Sequence, residues 1–279
     1  MTLRVRNKLL LAIDIVAFVV FVTFIVAAAL FFSRDGLSTI PKLERNLNLS
    51  ENIFIFRNSP LASMISLLLR PFYVAIFGLF VYISFEKTKA EEITYVSLYF
   101  IGYALQGFSV LIPILKLWNT TMAVTIIIGR IALAGHLISG MAILLLTIII
   151  GTENPDKKES STDRNIWISV SISLFCAIII PINTVNITST FWLNTGFDVM
   201  LFVLLALIIT ISIVVLSFYS HYNQTGLLKS PALYVSILEI GYLMLQQGDN
   251  YFCLTLGSIL LFVSTYALLV SIRRKYLWN

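Results

Sequence analysis

Five ionisable side chains and one amide interrupt otherwise apolar runs of this sequence: Asp14, Arg70, Arg130, His136, Glu239 and Gln106. In hydrocarbon such a group costs ~2.5–3.5 kcal/mol on insertion scales, so it persists where it faces a bundle interior, meets a partner or lines water. The arginines define the chemistry on offer. A guanidinium presents a rigid fork of donors that matches a planar anion such as a carboxylate or phosphate. Glu239 supplies the opposite charge.

Two readings follow from this set. Arg70, Arg130 and Glu239, with Gln106 and His136 nearby, line a cavity open to the outer side and take a small anionic ligand. Alternatively, Glu239 pairs with Arg70 or Arg130 and the charges lock helices together. Arg70 immediately precedes Pro71. Proline removes a backbone donor and frees a carbonyl one turn earlier, which predicts a kink beside the charge. The alternative at that point is a helix boundary from which Arg70 snorkels outward.

His136 lies in GRIALAGHLISG, where Ala132, Gly135, Ser139 and Gly140 stand at helical spacing. Small residues let a second helix approach closely, so a packing seam with a hydrogen-bonded histidine is expected. No His or Cys stands three or four residues from it, so no metal site is expected. Arg130 and His136 are about 120° apart on the helical wheel and do not share a face. Asp14 is expected at a capped or snorkelled position near the inner interface. The chain has no GxSxG, no HExxH and no phosphate-binding glycine loop, so neither enzyme chemistry nor a cofactor is expected. No family motif can be quoted from it.

The elements that must hold these residues are membrane helices. Of 279 residues, 58% are hydrophobic and only 12% are charged, about half the charge of a soluble domain. Continuous apolar runs of about 20 residues fit spanning helices, whereas barrel strands alternate. The expected fold is an all-α polytopic bundle, a single integral membrane domain over 1–279. Its eight spans are 9–32, 61–85, 93–116, 122–150, 166–185, 197–219, 231–247 and 251–272. Seven spans are the alternative. Either the segment around Glu239 does not cross, or the first run is a signal peptide cut near Ala27-Ala28-Ala29.

Twelve Lys and Arg residues fall at one set of loop ends, against Arg34, Lys42, Arg45, Arg57 and Lys116 at the other. The basic side is cytoplasmic, which puts both termini inside a plasma (inner) membrane. The net charge of +5 reflects this bias and gives no reason to expect nucleic acid. Cys176 and Cys253 sit in apolar runs as buried free thiols. The 33–60 loop is read either as a short interfacial helix or as a plain connection. The 152–165 loop is polar and expected to be mobile.

The function expected is binding of a small anion for transport or sensing, with the lipid bilayer as the other partner. The alternative is a membrane partner subunit or sensor-like module, held to another protein or in a homo-oligomer. A lipid-acting membrane enzyme ranks third, for want of a catalytic constellation.

Overall fold

The computed structural model describes residues 3–33, 59–86, 88, 90–117, 122–151, 159–187, 190–222, 231–246 and 248–277. The helices are α1 (Leu3–Ser33), α2 (Pro60–Phe85), α3 (Glu91–Gln106), α4 (Leu111–Leu117), α5 (Met122–Gly151), α6 (Glu159–Ile179), α7 (Asp198–Tyr222), α8 (Pro231–Gln246) and α9 (Tyr251–Leu277). A 3-10 turn, Gly107–Val110, joins α3 to α4.

The chain is a helical integral membrane protein. Among the described residues, five helical segments are long and apolar enough to cross: Pro60–Phe85, Glu91–Leu115, Met122–Ile150, Thr162–Ile179 and Tyr251–Tyr276. Three shorter apolar stretches, Asp14–Leu30, Val199–Val215 and Leu233–Gln246, accompany them. The α8 helix has 16 residues and is therefore about 24 Å long, somewhat less than a typical hydrocarbon core.

The core forms where α2, α3, α5, α8 and α9 meet. Tyr73 and Phe77, Tyr99, Phe100 and Tyr103, Ile138, Tyr242 and Leu261 belong to one buried cluster. In contrast, α6 and α7 leave Trp167, Phe175, Val199 and Phe218 exposed. Such continuous apolar surface suits lipid rather than water.

The expected seam around His136 is present. A β-carbon at Gly102 would lie 2.7 Å from the Gly135 carbonyl oxygen. Only glycine permits α3 and α5 to touch backbone to backbone here, and this contact brings Gln106 within reach of α5. Pro71 lies inside α2 and is buried. The helix continues through it, so Arg70 is not at a boundary.

Both ends of the bundle are tied. Asn7 Nδ2 donates to the Glu86 carbonyl at 2.7 Å, so α1 and α2 run antiparallel. At the same end, Tyr276 Oη donates to Glu92 at 2.7 Å and Lys275 pairs with it at 3.2 Å. At the other end the Ser59 amide donates to the Asp249 carbonyl at 2.6 Å.

Three expectations need correction. First, the bundle is all-α as expected, but the span expected to run to 185 ends at Ile179. Ile182–Ile187 and Leu193–Thr195 form an antiparallel two-stranded ribbon between α6 and α7. INTVNI alternates apolar and polar residues and carries β-branched side chains, which suits a strand. Second, 159–165 is helical and belongs to α6, where Thr162 Oγ1 donates to Glu91 Oε2 at 3.1 Å. The mobile loop expected over 152–165 does not include 159–165, and 152–158 lie outside the described residues. Third, Asp14 does not snorkel. It is 8% exposed and packs against Gly78 of α2, whose missing side chain makes room for the carboxylate. The interfacial helix considered for 33–60 also falls outside the described residues.

Candidate functional site

Arg70 is the centre of the buried polar network. It lies on α2, one turn after Ser66 and one turn before Tyr73, so all three project from one side of that helix. Arg70 is 1% exposed. Its Nη1 donates to Gln106 Oε1 at 3.2 Å and its Nη2 to the Leu245 carbonyl oxygen at 3.3 Å. Leu245 is in the last turn of α8, where carbonyls have no partner within the helix. Ser66 Oγ donates to the same oxygen at 2.8 Å. The guanidinium also stands 5.8 Å from the centroid of the Tyr103 ring.

Arginine has only donors, so it fixes the Gln106 amide with its oxygen towards Arg70. The amide nitrogen then points the other way. It donates to Ser139 Oγ at 3.0 Å and to Tyr242 Oη at 3.0 Å, with the Gly135 carbonyl at 3.5 Å. Tyr242 Oη accepts that bond and has one proton to give. His136 Nδ1 is 2.7 Å away, and the histidine tautomer sets which of the two donates. The Gln246 amide nitrogen lies 3.1 Å from the same Nδ1. Five side chains from four helices thus form one chain of hydrogen bonds: Arg70, Gln106, Tyr242, His136 and Gln246.

The surroundings are aromatic. The Tyr99 and Tyr103 rings lie 5.6 Å apart and within 15° of parallel, as do His136 and Tyr242 at 6.0 Å. Tyr73 meets Tyr103 edge-on at 5.4 Å, and its hydroxyl lies 2.6 Å from Thr265 Oγ1. Trp192, from the ribbon, meets His136 edge-on at 5.7 Å. Its neighbour Phe191 has a φ of 60° and is buried in a cluster with Phe24, Met64 and Leu67. A bulky residue in that region of backbone space is strained. The ribbon is therefore held firmly against the helices beside the site.

Among the described residues, four polar atoms of this centre are buried without a hydrogen-bond partner: Arg70 Nε, Tyr99 Oη, Tyr103 Oη and Gln246 Oε1. The first three can donate, and the amide oxygen accepts. Among the described residues, Arg70 also forms no ion pair. The network therefore carries one positive charge, three unused donors and no carboxylate.

The expected residues divide. Arg70, Gln106 and His136 come together. Arg130 does not join them, and no hydrogen bond links it to Arg70, Gln106 or Tyr242. Its neighbour Gly129 abuts Leu193 of the ribbon, which places Arg130 nearer the Met122 end of α5. Glu239 is 1% exposed but pairs with neither arginine, and among the described residues its oxygens accept no hydrogen bond. Ser212 of α7 is the polar group beside it, and Thr147 of α5 donates to that hydroxyl at 3.3 Å. Glu239 precedes Tyr242 by three residues, about 4.5 Å along and 60° around α8, and at that position α7 is the neighbouring helix.

The tyrosines were not expected, although the sequence carries their signal. Tyr95, Tyr99, Tyr103 and Gln106 follow a spacing of four, four and three, which places them on one face of α3. No family model, curated protein or solved structure matches this chain.

Proposed function

We propose that this protein binds a small anion at Arg70, within the membrane, and transports it or responds to it. The observation that carries this reading is a guanidinium 1% exposed with no ion-pair partner among the described residues. A lone buried charge is expensive, and an anion bound beside it removes most of that cost. The free donors at Arg70 Nε and Tyr103 Oη suit a ligand that brings acceptors. In the proposed topology eight spans cross a plasma membrane with both termini cytoplasmic, and the site lies nearer the outer face.

A second reading is supported by Leu245. Its carbonyl belongs to the negative end of α8, worth about half a charge, and offsets part of the charge on Arg70. On that reading the network fixes α2 to α8, and the protein is a membrane partner subunit or sensor-like module.

A thermal-shift screen of anionic metabolites on the purified protein separates the two. The ligand reading expects at least one anion to raise the melting temperature of the wild type and not that of Arg70→Gln. The structural reading expects no anion to act and a large loss of stability in the variant.

A further inference from the structure

We infer that Glu239 is a reversible proton-binding site: its carboxyl holds a proton while α5, α7 and α8 pack as they do here, and releases it when that junction opens. The site is separate from Arg70 and does not depend on the anion reading.

The first ground is isolation. Glu239 lies in the middle of α8 and is 1% exposed. Among the described residues both of its oxygens lack a hydrogen-bond partner, and no basic side chain pairs with it. A bare carboxylate in such a place is among the costliest groups a bilayer can hold. A proton removes that cost without moving the chain.

The second ground is the neighbouring hydroxyls. Ser212 of α7 stands beside the carboxyl, and Thr147 of α5 donates to Ser212 Oγ at 3.3 Å. Both are buried. Ser212 Oγ keeps a second lone pair, which suits the O–H of a carboxylic acid. A hard metal cation would want about six oxygens or more. The helices α5, α7 and α8 are unbroken here, so their carbonyls are taken up within the helix.

The third ground is direction. Thr147 is four residues from Gly151, about 6 Å from that end of α5. On the other side of Glu239, Tyr242 is already engaged with Gln106 and His136. The polar path from Glu239 therefore leads through the two hydroxyls towards the Gly151 end.

No second titratable group stands at this level. On α5, Arg130 and His136 lie on the Met122 side of Thr147. Arg70 of α2, through Gln106, and Tyr99 and Tyr103 of α3 gather around Tyr242. The sequence of α7 has none between Asp198 and Tyr219, and that of α9 none between Cys253 and Tyr266, whose ring is exposed. Asp14 is the other buried carboxyl with two unpartnered oxygens, and it packs against Gly78 of α2 instead. It serves as the control.

The test is infrared difference spectroscopy of the full chain in a detergent without ester groups, titrated from acid to alkaline pH, with melting temperatures followed alongside. A carboxylic-acid carbonyl band is expected in the wild type at neutral pH. It should vanish in Glu239→Gln, persist in Asp14→Asn, move in Ser212→Ala and bleach reversibly in alkali. The folded protein holds a proton that the unfolded carboxylate gives up to water, so stability should fall as pH rises, and less steeply in Glu239→Gln. Should Glu239→Gln not fold, the displaced band of Ser212→Ala makes the assignment. Absence of the band at every pH would overturn the proposal. A band that appears only when choline replaces sodium would overturn it in favour of a sodium site. A band that no pH bleaches would overturn reversibility and leave a permanently neutral acid. Loss of the band in Asp14→Asn alone would overturn the assignment to Glu239.

Discussion

Tyr242 Oη and His136 Nδ1 lie 2.7 Å apart, although 106 residues separate them in sequence. The bond joins α8 to α5 and ends a relay of donors that begins at Arg70. Arginine can only donate, so it turns the Gln106 oxygen towards itself and the amide nitrogen towards Tyr242.

Tyr242 and Tyr103 should therefore respond differently to the same substitution. Tyr242→Phe removes a hydroxyl that serves both Gln106 and His136. A loss of about 1–3 kcal/mol in thermal or denaturant unfolding is expected. Tyr103→Phe removes a hydroxyl without a hydrogen bond and should be neutral or slightly stabilising in the ligand-free protein. Equal losses in the two variants would show that the relay does not run as described.

Glu239→Gln should leave stability unchanged or raise it, since the carboxylate has no cation beside it. The double variant with Arg70→Gln should show a coupling energy near zero, because the two groups share no partner. A large loss in the single variant, recovered in part by the double, would restore the ion pair that the geometry excludes.

The helix seam makes a graded prediction. Gly102→Ala and Gly135→Ala each drive a methyl group into backbone, and overpacking of this kind costs about 1–3 kcal/mol. At Gly140 the nearest atom to a new β-carbon is Ile208 Cδ1 at 3.6 Å, an ordinary contact. Gly140→Ala should be tolerated. Melting temperatures of the three variants in one detergent provide the comparison.

Orientation is testable by cysteine accessibility in a Cys-free background. Cysteines at Lys8 and Lys275 should be shielded from an impermeant reagent applied outside intact cells, and one at Lys42 should react. Reaction at Lys275 or protection at Lys42 would overturn the arrangement with both termini inside.

Long apolar runs made the membrane helices legible, because hydropathy reports directly on what a bilayer requires. Arg70, Gln106 and His136 were legible for the same reason, as polar groups at a depth where polar groups are costly. Depth says nothing about which helix stands alongside, so Arg70 and Glu239 looked like partners although Glu239 lies beside Ser212 of α7. The tyrosines were hidden by their ambiguity. A tyrosine in a span reads as apolar bulk until its hydroxyl is placed. The ribbon over Ile182–Ile187 was missed because a short alternating stretch at the end of an apolar run looks like the run's continuation. The start of α6 was missed because Glu159 to Asp163 reads as a polar loop, although acidic and hydroxyl residues also suit a first helical turn.

The central claim is that Arg70 holds an uncompensated charge which an anion completes. Calorimetric titration of the most stabilising anion from the thermal-shift screen into the wild type, Arg70→Lys and Arg70→Gln addresses it directly. One saturable site is expected in the wild type, weakened in Arg70→Lys, which keeps the charge and loses the fork, and absent in Arg70→Gln. Identical isotherms in all three proteins, or no saturable binding in a wild type that Arg70→Gln merely destabilises, would contradict the claim and leave Arg70 as a structural tie between α2 and α8.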